Sequence, residues 1–402
     1  MTRTAWLAIG CGALIVTISM GLRQSFGLFL QPVGHEFAVG REFFGFAIAV
    51  QNLLFGLVQP FVGAAADRYG TRRVVLVGAL VYAAGLAATA LAAAPRDVMA
   101  ALGLAVGLGL SGTTFVVVLG GVGRLVTPQQ RSVAFGLVTA GGSFGQFAIV
   151  PLAQALIATF GWREAMFAMA GVSLLPIIAV LGIRSAPAAE SAMPAERFGV
   201  LEALRQASTH RSYWWLNLGF FVCGFQLAFI GTHFPAYLVD RGIAPGVGAA
   251  ALALVGLFNI AGSYIFGILG GRRSGPRLLA GLYLARAAVI SIFLLTPLSA
   301  TSALVFAGVL GFLWLGTVPL TSGAVASMFG IRHMSTLYGI VFLSHQVGSF
   351  LGAWAAGRVY DATGNYNAVW TASIVLGLFA GAISWITDDR AAAVPRLREA
   401  VA

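Results

Sequence analysis

The sequence predicts an all-α membrane protein of twelve transmembrane helices arranged as two pseudo-symmetric six-helix bundles. Three observations carry this expectation. Hydrophobic residues make up 59% of the 402-residue chain and charged residues 9%, with a mean hydropathy of +0.90, which is more apolar surface than a soluble core can hide. The apolar residues gather into about twelve runs near the length of roughly 20 residues that a bilayer core about 30 Å thick requires of a helix. The two halves also repeat, because Gly21, Gly136, Gly145 and Gly161 recur 203 positions later as Gly224, Gly339, Gly348 and Gly364.

The runs of the first half lie near residues 5–30, 43–63, 74–94, 98–123, 132–158 and 164–183. Those of the second lie near 213–236, 247–269, 278–297, 301–328, 335–358 and 368–387. The first run is too long for a signal-peptide core and lacks a small-residue cleavage site before the polar "QPVGHEF", so it is expected to be a retained helix. Residues 1–183 are expected to form the N-terminal bundle, 184–211 a cytoplasmic linker, 212–390 the C-terminal bundle and 391–402 a cytoplasmic tail. The linker is rich in Pro, Ala and Glu before the helical "FGVLEALRQA", which reads as a flexible tether ending in an amphipathic surface segment. Small-xxx-small pairs, Gly141 with Gly145 and Gly348 with Gly352, let helices approach closely.

All 24 basic residues are arginine and the net charge is +11. A nucleic-acid partner would fit the total, but the distribution points to membrane orientation. With the amino terminus in the cytoplasm, 17 arginines fall on the cytoplasmic side and five outside, at Arg41, Arg96, Arg163, Arg241 and Arg358. The positive-inside rule therefore places both termini in the cytoplasm and the chain in the cell (inner) membrane. Cys11 and Cys223 lie in apolar runs without metal-ligand spacing, so neither a disulfide nor a metal site is expected. No cofactor motif is present, and paired carboxylates or a nucleophile with a base, as an enzyme would need, are lacking.

Two arginines, Arg23 and Arg286, fall inside hydrophobic runs. A charge at that depth normally faces water, a partner or a ligand. The 13 acidic residues all fall in expected loops or helix ends. Arg23 is thus a cation without a protein counter-ion, and a small organic anion would complete the pair, since a guanidinium matches a carboxylate bidentately. The alternative is that Arg23 snorkels outward or bonds helix carbonyls. Arg286 is expected to be structural. His345 is a candidate for substrate contact and for a proton as coupling ion, with His233 a weaker one. Gln226, the repeat counterpart of Arg23, together with Asn259 and Ser263, is expected to complete a substrate site. Asn52 and Gln146 are further polar candidates, and Trp314 and Phe115 could wall the cavity.

The loop "GAAADRYGTRR", Gly63 to Arg73, resembles the signature of the major facilitator superfamily, Gly-x-x-x-Asp-Arg-x-Gly-x-Arg-Arg. It matches at Gly63, Asp67, Arg68, Gly70, Arg72 and Arg73, and a decayed copy, "GILGGRRSGPR", begins 204 residues later. The resemblance implies a carrier whose halves rock about a central site, with helices 1, 4, 7 and 10 and 2, 5, 8 and 11 along the path. The motif loop is then a conformational latch, with Asp67 pairing only when the cytoplasmic side is closed. "SFGLFLQPVGHEF" and "YGIVFLSHQVGSFLGAWAAGRVYDATGNY" look like the monocarboxylate transporter and oxalate/formate antiporter branch. That branch implies a basic residue on helix 1 where Arg23 stands. Its helix 8 Asp and Arg are replaced here by Asn259 and Ser263, which departs from the usual proton relay. The expectation is a secondary transporter of a small organic anion, a monocarboxylate by this resemblance, working as a monomer among membrane lipids by proton symport or anion exchange. A multidrug or metabolite exporter of the same fold and a non-transporting membrane receptor are the alternatives.

Overall fold

The structure, a computed structural model, describes residues 2–126, 128–183, 204–329 and 334–389. Side chains at 67, 128–129, 131–133 and 334–335 lie outside the description, as do most of the expected linker and all of the expected tail. Residues 204–209 are helical, within the segment expected to be amphipathic.

Twelve long helices of 19 to 35 residues follow one another among the described residues. They are α1 (Arg3–Phe37), α2 (Arg41–Tyr69), α3 (Thr71–Ala90), α4 (Pro95–Gly123), α5 (Pro128–Phe160) and α6 (Trp162–Gly182). The second half supplies α7 (Arg211–Asp240), α8 (Pro245–Gly270), α9 (Gly275–Leu295), α10 (Ala300–Phe329), α11 (Met334–Thr363) and α12 (Asn367–Trp385). No strand occurs among the described residues. Eleven of the helices are long and apolar enough to cross a bilayer. The other, α11, has 30 residues but carries Ser344, His345, Gln346 and Ser349 in its middle. His345, Gln346 and Ser349 are buried, so this helix presents its polar groups to protein rather than lipid.

An even number of crossings returns the chain to one side, and the backbone N–H of Asp388 donates to Ser212 Oγ at 3.1 Å. This end is called terminal here, and the opposite end distal.

Several boundaries differ from expectation for local reasons. "QPVGHEF" is helical: Ser25 Oγ donates to the Leu22 carbonyl at 2.7 Å, a 3-10 turn over Phe26–Phe29 keeps the chain coiled, and buried Leu30 and Val33 continue the core face. α2 absorbs most of the motif loop, because Gly70, at φ 87°, turns directly into α3. α4 and α10 are each interrupted, at 112–114 and 313–316. These places correspond in the two halves, and both sit near the middle of their helix.

The repeat is legible in the packing. A side chain at Gly21 would run into the Gly145 carbonyl of α5, and one at Gly145 into Thr17 of α1. In the second half Gly224 lies against the His345 carbonyl of α11, and Gly348 against Phe221 of α7. α1 with α5 and α7 with α11 are therefore equivalent backbone-to-backbone pairs. Gly161 and Gly364, also repeat mates, both adopt left-handed φ, 91° and 72°, as they end α5 and α11.

The halves meet along three seams. α1 touches α7 where Gly27 abuts the Gly231 carbonyl, α2 touches α11 at Gly45 and Gly56, and α5 touches α8 at Gly256. Along α8 the described polar contacts to the first half reach Asn259, and along α2 the aromatic contact reaches Phe55. These contacts run from the distal end to about mid-height of the molecule. Among the described residues, the hydrogen bonds and ion pairs that join the halves run from Gln146 and Asn259 outward to Arg41 and Glu42. The described contacts thus close the molecule at its distal end.

Candidate functional site

Arg23 sits on α1 at the level where the distal seams end. It is half-buried, and its Nη2 donates to Asn52 Oδ1 on α2. Its guanidinium carbon lies 5.6 Å from the centre of the Phe55 ring. Its Nε is buried and has no acceptor among the described residues, and no described carboxylate lies within ion-pair distance. A buried guanidinium donor without an acceptor is costly unless something fills the gap.

His345 lies across the α2–α11 seam. Phe55 meets Phe342 edge-on at 6.0 Å, and Phe342 stacks parallel to the His345 ring at 5.9 Å, with Phe220 4.8 Å away on another side. His345 Nδ1 bonds Gln346 Oε1 at 3.1 Å and approaches Ser349 Oγ at 3.4 Å. Gln346 Nε2 and Gln51 Nε2 are further buried donors without an acceptor. Arg23, Asn52, Phe55, Phe342 and His345 thus make a continuous lane, cationic at one end and aromatic along its length.

The other expected site residues lie elsewhere. Gln226 is buried in the second half, donating to the Ser373 carbonyl at 2.9 Å and accepting from Arg286 Nη1 at 3.4 Å. Its repeat relation to Arg23 therefore does not bring the two together. Asn259 binds Ser263 Oγ at 3.0 Å, reaches Ser143 Oγ of α5 at 2.9 Å and accepts the Leu315 N–H at 2.9 Å. Asn259 and Ser263 hold the α5–α8 seam to the interruption of α10. Gln146 serves the same seam, donating to the Leu252 carbonyl at 2.9 Å. Trp314 packs in the second-half core, 2% exposed, while Phe115 is half-buried beside Gly142.

Arg286 answers to the interruption of α10. Its Nε and Nη2 donate to the Leu313 carbonyl at 3.0 and 2.7 Å, and Nη2 also to the Trp314 carbonyl. These carbonyls form the negative end of the first α10 segment, left without helical partners by the break. The cation is balanced by backbone, so it calls for no ligand.

In the motif loop, Arg68, Arg72 and Arg73 are exposed, and Gly63 packs toward Val116 of α4. Asp67 lies outside the described side chains.

Sequence reasoning missed the distal closure. Arg41 Nη2 and Nη1 donate to the two carboxylate oxygens of Asp240 at 2.6 and 2.7 Å, and Nη1 to Tyr366 Oη at 2.8 Å. The guanidinium also lies 3.6 Å from the centre of the Tyr360 ring. Asp361 accepts the backbone N–H groups of Arg41 and Glu42 at 2.9 and 2.8 Å, capping α2 from the opposite half. Glu42 accepts from Trp354 Nε1 at 3.0 Å and Arg358 Nη1 at 3.1 Å. One signal was available: the expected outer loops hold six acids, Glu36, Glu42, Asp97, Glu164, Asp240 and Asp361, against five arginines. That balance leaves acids for ion pairs, but nothing in the order of residues says which pair.

A family model described as Major Facilitator Superfamily matches residues 11–353. The chain is 25% identical over 378 residues to the uncharacterized MFS-type transporter YcxA of Bacillus subtilis (strain 168), covering 88% of each. It is 25% identical to monocarboxylate transporter 13 of Rattus norvegicus, over 93% of this chain and 86% of that protein. It is 26% identical to monocarboxylate transporter 11 of Homo sapiens, over 90% and 78%. Its fold is similar to that of a bacterial homologue of the human lysosomal transporter Spinster in an inward-facing, unoccupied conformation. The TM-score is 0.77 at 15% identity, over 96% of this chain and 97% of that one.

Proposed function

We propose, from the premise that this chain belongs to the Major Facilitator Superfamily, that it carries a small organic anion, a monocarboxylate, by alternating access. The chain is a multi-pass membrane transporter; the passenger and its coupling are our reading. The observation that carries it is Arg23: a half-buried cation whose buried Nε is unfilled, with no described carboxylate beside it, at the level where the described contacts between the halves end. A carboxylate entering there would take the free guanidinium edge, while Phe55 and Phe342 would cover its apolar part. The names of the relatives in rat and human support the same class.

The arginine bias supports an inner-membrane carrier whose terminal end faces the cytoplasm, on which reading the closed distal side faces outward. Asp67, Arg68, Arg72 and Arg73 stand at the terminal end of α2 and the start of α3. They would engage when the terminal side closes, as a latch opposed to the distal ion pairs. A proton rides on His345 or on the substrate, or a second anion returns in exchange, and the carrier works as a monomer.

Uptake of a panel of labelled monocarboxylates and dicarboxylates into proteoliposomes, with and without an imposed pH gradient, tests this. Saturable monocarboxylate flux is expected, stimulated by the gradient if coupling is protonic. Efflux of lipophilic dyes without any carboxylate flux would overturn the reading in favour of an exporter.

A further inference from the structure

We propose that His233 is a proton-binding site that controls the distal gate: the gate closes over the neutral imidazole, and a proton taken up at Nδ1 from distal water opens it. The inference rests on the two-ended transport cycle of the family and not on the identity of the passenger.

Full burial, with no carboxylate bonded to the ring among the described contacts, favours the neutral imidazole, and the neutral ring sets the hydrogen-bond directions. His233 is fully buried. Its Nε2 lies 2.8 Å from the Ala353 carbonyl of α11, which can only accept, so Nε2 carries the hydrogen. Its Nδ1 lies 3.0 Å from Tyr366 Oη. Nδ1 therefore accepts the Tyr366 hydroxyl hydrogen, and the Tyr366 oxygen is left to accept from Arg41 Nη1. Burial pushes the Tyr366 phenol above its ordinary pKa, which keeps it a donor. A chain of bonds thus runs out from Arg41 of the first half, which donates to Asp240 and to Tyr366 of the second; Tyr366 in turn donates to His233, and His233 to the Ala353 carbonyl.

A proton on Nδ1 reverses one link. The imidazolium then donates from both nitrogens, the Tyr366 hydrogen loses its acceptor, and a second cation stands one hydroxyl away from Arg41. The charged and titratable groups packed around the ring offer no relief. From α2 come Arg41 and Glu42, from α7 Tyr237 and Asp240, from α11 Tyr360 and Asp361, and from the residue before α12 Tyr366. Asp240 is held by Arg41, Asp361 by the first N–H groups of α2, and Glu42 by Trp354 and Arg358. None of these carboxylates hydrogen-bonds the imidazole among the described contacts. Gly45 of α2 packs directly on this contact: a Cβ there would run into the Ala353 carbonyl that accepts from His233 Nε2. Relief comes from α2 moving away with Arg41, which is gate opening. Because the open form binds the extra proton, acid shifts the equilibrium toward it, by at most about tenfold per pH unit for one proton.

The test uses the full chain in nanodiscs with Cys11→Ser and Cys223→Ser, and spin labels at Arg96→Cys and Ser299→Cys on exposed distal positions of opposite halves. Electron–electron distances are read between about pH 8 and about pH 5, the range in which histidine titrates. The parent is expected to pass from a short-distance to a long-distance population on acidification. His233→Gln, whose amide can both donate to Ala353 and accept from Tyr366, is expected to stay short throughout. Tyr366→Phe, which removes the link without touching the histidine, is expected to open at higher pH than the parent. Parent distances that ignore pH, a His233→Gln protein that shifts as the parent does, or an unmoved midpoint in Tyr366→Phe would each overturn the proposal.

Discussion

Arg23 and Arg286 are the same side chain in the same layer of the membrane, and their surroundings give them opposite roles. Arg286 has its charge met by the Leu313 and Trp314 carbonyls, so removing it leaves buried acceptors bare, at about 1–3 kcal/mol each. Arg286→Met is therefore expected to melt several degrees lower in a fluorescence-detected thermal unfolding assay, whatever its effect on transport. Arg23→Gln is expected to melt close to the native protein, because Arg23 makes one side-chain hydrogen bond and leaves Nε unfilled. Both arginines stood out in the sequence as charges without acids. Only the interruption of α10 explains Arg286, and "GFLWLGTVPL" reads as an unbroken apolar run.

At the scale of helices, close approach and turn geometry explain three of the four repeated glycine pairs. Gly224 faces the His345 carbonyl directly, so Gly224→Ala must force α7 and α11 apart, an overpacking cost of about 1–3 kcal/mol. Gly339→Ala, at a position with open space around it, is the matched control and should leave the melting temperature unchanged. A lowered melting point in both, or in neither, would contradict the packing account. The helices themselves were legible because a membrane span is set by length and apolarity. Their ends were not: "QPVGHEF" continues α1 through a 3-10 turn, and α2 runs on to Tyr69, since polar residues at a helix end satisfy the backbone as well as a loop does.

The whole molecule is a balance between two closures, one seen and one proposed. The distal closure rests on Arg41 with Asp240 and on Asp361 capping α2. Asp240→Asn is expected to slow transport by favouring the distally open form. The exchange Arg41→Asp with Asp240→Arg should recover more activity than either single change, measured as substrate counterflow, because the pair and not each charge alone holds the gate. The latch motif was legible as a string of residues, whereas the distal gate was not, since its members are brought together by the pairing of α2 with α7 and α11. The lane from Arg23 to His345 was half legible: both ends were named, but the aromatic link through Phe55 and Phe342 arises only when the halves meet.

The central claim is that Arg23 holds the negative charge of the passenger. Its most direct test is the affinity of the purified carrier for a transported monocarboxylate, measured by titration calorimetry on the native protein and on Arg23→Gln. A charge-assisted bond of about 1.5–3 kcal/mol predicts that the folded variant binds roughly ten- to a hundredfold more weakly. Equal affinity in a protein whose fold is unchanged would contradict it.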